Sequence, residues 1–268
     1  MAPTRSRPIT RLHPAAVLAG LAVVVGLTAS PAAADGTLID RTVVSSSTDG
    51  VEHWAFPAAW SFRYALVGIR PDPGADYDLS VNDAGGNWLQ ASARGTGKVD
   101  FVTLQTGFAP SLPVGTYQAD VAHYSGAGNY LIEYYQEQNG SGPAAGGEYL
   151  MDTGAPAGTS RTGTLLIASP QFIAVTGMGL RDGWSYQVTC GSRSSGELFV
   201  VPGVAGSPRT ARAAATWSPL TSTTATVTVV GVDDGTNGPS LYGQEKVALV
   251  VVSLQSVHCT VTNLGPTG

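Results

Sequence analysis

A period of two runs through the stretch from Arg70 to Asp83, RPDPGADYDLSVND. The turn PDPG feeds a segment in which Tyr77, Leu79 and Val81 alternate with Asp76, Asp78, Ser80 and Asn82. Apolar residues at every second position set one face of a β-strand against a core and leave the other in water. A helix needs a period of 3.6, which this stretch does not have. TLIDRTVV, VEHWAF, WSFRYALVGI, WLQASA, DFVTLQT, GTYQADVAHY and NYLIEYYQEQ follow the same style, with Gly, Pro, Asn and Ser between them. Together they predict about eight strands in the first half of the chain and no helix. AGGN reads as a hairpin connection into WLQASA. SGAG, between GTYQADVAHY and NYLIEYYQEQ, reads as a second hairpin that would pair those two strands.

The pattern returns in the second half. Val67-Gly68-Ile69-Arg70 matches Met178-Gly179-Leu180-Arg181, Tyr77 matches Tyr186, and Leu79 and Val81 fall on Val188 and Cys190. GTYQADVAHY then matches TATVTVVGVD, and NYLIEYY matches KVALVVV. Similarity in fixed order over a domain's length predicts an internal duplication. NGSGPAAGGE between the halves is rich in Gly, Ala and Pro and reads as a linker. The expected division is residues 1–34, 35–138, a linker at 139–147, and 148–268. The expected fold class is all-β, with two tandem antiparallel β-sandwiches.

Residues 1–34 have the form of a secretory signal peptide. Arg5, Arg7 and Arg11 make a basic start, Ala15 to Leu27 is apolar, and Ala32 and Ala34 make an A-x-A site before Asp35. The alternative is a retained anchor, but the apolar run is short for a span. No later stretch approaches the length of a membrane helix. Without the three arginines, eleven basic residues face nineteen acidic ones, a net charge of −8. Lys98 and Lys246 are the sole lysines. Duplex binding needs cations that displace counterions, so the composition argues against nucleic acid as a partner. The expected location is outside the cell.

Cys190 and Cys259 enclose 68 residues, and both sit in alternating segments. An exported chain with two cysteines predicts one disulfide between them. Two free thiols or a metal pair are the alternatives, although only His258 stands near as a further ligand.

Three motifs of the first half carry a resemblance. They are Asp83-Ala84-Gly85-Gly86-Asn87, Pro113-Val114-Gly115-Thr116-Tyr117, and Tyr124-Ser125-Gly126-Ala127-Gly128-Asn129-Tyr130. In this order they resemble the bacterial pre-peptidase C-terminal domain, over roughly Asp35 to Gln138. The resemblance implies a jelly-roll-like sandwich of the kind appended to secreted peptidases and other exported enzymes. Relatives in clostridial collagenases bind collagen and carry calcium as a structural ion. The acidic E-P-N-N stretch of that family is replaced here by TLIDRTVVSSSTDG. Calcium and collagen therefore do not carry over residue by residue.

Asp72, Asp76, Asp78 and Asp83 are the candidate calcium ligands, with Asp76 and Asp78 expected on one solvent face. Calcium takes six to eight oxygens, but Asp is also an ordinary turn and surface residue. Asp233, Asp234 and Asn237 form a weaker acidic turn of the same two meanings. His53, His123 and His258 show no zinc-protease spacing, and Ser125 lacks the G-x-S-x-G elbow of a nucleophile. Tryptophan in a small sandwich is usually buried. Trp88 follows two glycines and an asparagine, and is the best candidate for an exposed aromatic that contacts a ligand.

The expected function is a secreted, non-catalytic binding or adhesion module for extracellular protein or polysaccharide. The alternatives are a hydrolase with a groove between the domains, and a chaperone-like companion of a separate secreted enzyme. The first would show Ser, His and Asp meeting in one cleft. The second would show a contiguous exposed apolar patch. For the disulfide, alkylation of the denatured, non-reduced protein is expected to add no mass, and two adducts would refute the bond.

Overall fold

A computed structural model describes residues 36–42, 50–58, 62–105, 115–138, 149–151, 154–202, 213–219, 223–231 and 244–268. The leader 1–34, the linker 139–147 and the acidic turn at Asp233, Asp234 and Asn237 lie outside these residues.

The chain is all-β, with no helix among the described residues. The first half forms β1 (Gly36–Thr42), β2 (Val51–Ala58), β3 (Phe62–Pro71), β4 (Ala75–Asn82), β5 (Trp88–Ser92), β6 (Asp100–Gln105), β7 (Gly115–Gly126) and β8 (Tyr130–Gln138). The second forms β9 (Tyr149–Met151), β10 (Ser160–Leu165), β11 (Ile173–Arg181), β12 (Trp184–Gly191), β13 (Gly196–Pro202), β14 (Ala213–Trp217), β15 (Thr224–Val230), β16 (Gln244–Ser253) and β17 (Val257–Pro266).

The first eight strands make two sheets, β1-β8-β3-β6 and β2-β7-β4-β5, with every neighbour antiparallel. That order is the pair of Greek keys of a jelly roll. Counted from β10, the second half has the same order, β10-β17-β12-β15 and β11-β16-β13-β14. The short strand β9 adds to the free edge of β11 in parallel.

The topology corrects two sequence expectations. AGGN does join a paired hairpin, β4 with β5. SGAG does not: β7 pairs with β2 and β4, and β8 pairs with β1 and β3. The chain crosses there from one sheet to the other. Gly126 has φ +80 and lies so close to the Gly74 carbonyl that a Cβ would strike it, so the crossing turn packs on the PDPG turn. The sequence repeat is also one strand out of step. It aligns β3 with β11, whereas the strand order makes β3 equivalent to β12 and β2 equivalent to β11.

A shared environment accounts for the match of β3 with β11. Val67 and Ile69 of β3 pack in the first core with Tyr77, Leu79 and Tyr117. Met178 and Leu180 of β11 pack in the second with Tyr186, Val188 and Val251. The opposite faces of both strands enter a third core between the rolls. There Leu66 meets Ile173, Val175, Phe199, Val201, Ala248 and Val250. Phe101 and Phe199 contact edge to face across this seam, with ring centroids 5.1 Å apart. At its rim Arg94 Nη2 reaches Glu197 Oε2 at 2.6 Å, and the Arg94 guanidinium lies 4.7 Å over the Phe199 ring. A strand buried on both faces reads as nearly continuous apolar sequence, and both segments do.

Cys190 and Cys259 are bonded, and they face each other directly on β12 and β17. Both are fully buried in the second core. Closing a loop of 69 residues is worth about 4 kcal/mol in the chain-entropy model.

The seam is testable. Ile173 has no exposed surface. Ile173→Ala is expected to lower the unfolding free energy by roughly 3 kcal/mol in urea titration. A loss below about 1 kcal/mol would mean that the two rolls do not press on each other there.

Candidate functional site

Sheet β2-β7-β4-β5 turns its second face to solvent. Alternation sends Phe56, Tyr117, Leu79 and Val81 inward. It sends His53 and Ala55 of β2, Gln118 and Asp120 of β7, and Ser80 and Asn82 of β4 outward. The ladder then aligns them. Ala55 stands opposite Gln118, Gln118 opposite Asn82, and Asn82 opposite Trp88. One step along, His53 stands opposite Asp120 and Asp120 opposite Ser80.

Asp120 is the hub. Its Oδ1 receives His53 Nδ1 and Gln118 Nε2, each at 2.6 Å, and its Oδ2 receives Asn82 Nδ2 at 2.7 Å. A carboxylate only accepts, so the imidazole donates from Nδ1 and leaves Nε2 as the acceptor of the neutral ring. The His53 side chain is 59% exposed. Trp88 closes the row and is 51% exposed. Its position follows from the loop before it. Asp83 Oδ1 accepts from the Gly85 and Asn87 backbone N–H groups, each at 2.8 Å, and both oxygens accept from Asn87 Nδ2. Gly86 takes φ +80, a conformation side chains disfavour. The Asn87 side-chain amide, then its backbone N–H, hold the Asp83 carboxyl below its usual range. DAGGN is therefore a stiff frame that presents Trp88.

The four aspartates proposed for calcium fall in three places. Asp83 serves the loop just described. Asp72 sits in the PDPG turn, where its Oδ2 accepts the Asn129 N–H at 2.8 Å. Asp76 and Asp78 share the face of β4 that carries Ser80 and Asn82, as alternation predicts, but this end of it is covered: Asp76 is buried and Asp78 half-buried. Burial of β4 at this end overrides the polar side of the pattern. Burial raises the pKa of Asp78, and repulsion from Asp76 adds to it. No cluster of three or more His, Cys, Asp or Glu suited to a metal ion occurs among the described residues. The four do not make one calcium shell.

The remaining expectations can be placed. His123 packs against the Tyr77 ring at 5.0 Å, and its Nε2 lies 3.1 Å from the Gly126 carbonyl. It belongs to the crossing turn. Between the rolls a cleft of about 690 Å³ is lined by residues that include Asp72, Ser195, Ser253 and Trp217, with no histidine among them. Among the described residues, its lining brings no Ser, His and Asp together. Sequence reasoning missed the His53, Gln118, Asp120 and Asn82 network. Each lies on the polar side of its strand, but only the register across three strands brings them together.

Asp100 lies inside the first roll beside this sheet, fully buried. Ser92 Oγ donates to its Oδ1 at 2.6 Å, and its Oδ2 has no hydrogen-bond partner. Burial pushes its pKa from 3.8 to about 6, against the Ser92 hydrogen bond and the charge of Arg94. A carboxyl raised in the folded state binds more protons than in the unfolded chain. Its contribution is thus fully present below pH 3.8 and lost as pH rises through 6. Asp100→Asn is expected to flatten a decline of up to about 3 kcal/mol between those limits. Urea titrations of both proteins at several pH values would check this, and parallel profiles would refute it.

No family model matches the chain, and no curated protein matches it. Solved structures to which this chain shows similarity include the ANX1 ectodomain from Arabidopsis thaliana, at 8% identity and TM-score 0.26, covering 89% of this chain and 95% of that one. The N-terminal CBM22-1–CBM22-2 tandem domain from Paenibacillus barcinonensis Xyn10C matches at 8% identity and TM-score 0.23, covering 87% and 99%. The major capsid protein P2 from bacteriophage PM2 matches at 10% identity and TM-score 0.24, covering 85% and 98%. At these values the likenesses carry nothing about what this chain binds.

Proposed function

We propose that this chain is a secreted, non-catalytic binding module whose first jelly roll holds a polysaccharide on the open face of β2-β7-β4-β5. One observation carries the proposal: a half-exposed Trp88 in line with a fixed network of imidazole, carboxylate and amide groups. An indole offers a flat apolar surface to the C–H face of a sugar ring. The groups around Asp120 offer the hydrogen-bonding partners that ring hydroxyls need. They are already held by one another, so little side-chain freedom is lost on binding. Ala55 and Ala91 are exposed on the two edge strands of this face and add no bulk there.

Secretion is supported by the leader sequence and by the buried disulfide, a bond that persists in oxidising compartments. The motifs at Asp83–Asn87 and Tyr124–Tyr130 keep a pre-peptidase C-terminal relationship as part of the proposal for the first roll.

The test is co-sedimentation of the mature protein with a panel of insoluble polysaccharides. At least one polymer is expected to retain it. Trp88→Ala is expected to weaken that retention by about tenfold or more, since an aromatic anchor carries much of such a contact. Retention is expected to be equal in calcium and in EGTA. No retention by any polymer, or full retention of Trp88→Ala, would overturn the proposal.

A further inference from the structure

The second roll has an outward face of a different kind. On sheet β10-β17-β12-β15 the register sets Thr162, Thr260, Thr189 and Thr226 in one row across four strands. Hydroxyl pairs tie this row at 2.9 Å between Thr162 and Thr260 and 3.0 Å between Thr189 and Thr226. The next row runs Thr164, His258, Gly191 and Thr224. Here the lattice is broken, because Gly191 has no side chain. A Cβ at Gly191 would strike the Thr223 carbonyl, so the close approach of that backbone demands the glycine.

The Thr223 backbone takes the place of a side chain at Gly191. His258 and Thr224 flank Gly191 two strand spacings apart, about 10 Å. A depression of about 680 Å³ opens there and continues over Arg193 and Gln255. That volume falls in the range of ligand pockets. Its polar lining is hydroxyl and amide groups, one imidazole and one guanidinium, with no Asp or Glu among the described residues. The chain as a whole carries a net charge of −5, so this is a cationic spot on an acidic protein. Arg193 is exposed and meets no carboxylate among the described residues. The His258 ring is steadied by Thr164, whose Oγ1 lies 2.8 Å from Nδ1.

We propose that this depression is a second binding site, separate from Trp88, for a sugar ring that bears a carboxylate or a sulfate ester. Arg193 pairs with the anion, for which a planar guanidinium fork is suited. Thr189, Thr224 and Gln255 exchange hydrogen bonds with the ring hydroxyls, and His258 forms one wall. A neutral sugar would leave Arg193 without its partner.

Calorimetry on the full mature chain would test this, with an oligogalacturonate, a sulfated disaccharide, a neutral cello-oligosaccharide and inorganic sulfate as probes. At least one acidic saccharide is expected to bind, and the tighter of the two identifies the substituent. Arg193→Ala is expected to weaken that binding about tenfold or more, as loss of a charge-assisted pair does, while Trp88→Ala leaves it unchanged. Both side chains are exposed, and an unchanged circular dichroism spectrum would confirm that the variants fold. Four results would overturn the proposal: no binding of either acidic saccharide, equal binding by Arg193→Ala, equal affinity for the neutral oligosaccharide, or equal affinity for sulfate alone. Loss of binding in Trp88→Ala would also overturn it, by assigning the acidic sugar to the first roll.

Discussion

The apolar seam between the two rolls governs what the rest of the molecule can be. Leu66, Ile173, Phe199 and Val250 meet there, out of water. Each roll gives up part of one sheet face to this contact, so β3, β11, β13 and β16 bury apolar residues on both sides. Such stretches have little surface left for chemistry. At its rim Arg94 both pairs with Glu197 and covers Phe199, while the buried Glu133 carboxylate accepts the Phe172 backbone N–H at 3.2 Å. Polar, ligand-ready side chains are thereby displaced to the sheets that the seam does not use.

The strands themselves were legible in the sequence, because burial on one face leaves a period of two that local inspection can see. Tyr77, Leu79 and Val81 are buried as the alternation requires. Pairing was not legible to the same degree. A two-residue period says which way a side chain points and nothing about its neighbour across the ladder. The AGGN connection could be placed because a tight turn forces its strands together. SGAG resembles it locally, yet its glycines serve a crossing between sheets. The off-step match of β3 with β11 has the same origin: burial on both faces produced similar sequences at strands that occupy different places in the fold.

The candidate site was partly legible. Trp88 could be singled out because the glycines before it mark a protruding turn. The network around Asp120 could not, since His53 and Asp120 are 67 positions apart and meet only through register. The aspartates gave the opposite lesson. A run of acids suggested a cation, but Asp83 and Asp72 are spent on backbone N–H groups of turns, and Asp76 is drawn under neighbouring chain. In a protein with so few charges, each carboxylate has a local structural task to account for before it can be assigned to a ligand.

Stacking two rolls through one sheet each leaves four layers, with sheets about 10 Å apart. The free faces, β2-β7-β4-β5 and β10-β17-β12-β15, therefore look in opposite directions across a slab roughly 30 Å thick. Two ligand segments held on them cannot lie side by side. Simultaneous engagement by one short chain is ruled out by this separation, and so is the gain in avidity that tandem sites on a common face obtain. A slab of this kind gains from having two faces only when it is sandwiched, with one surface on each side. With ligands bound on both faces as proposed, its geometry is that of a spacer between two surfaces.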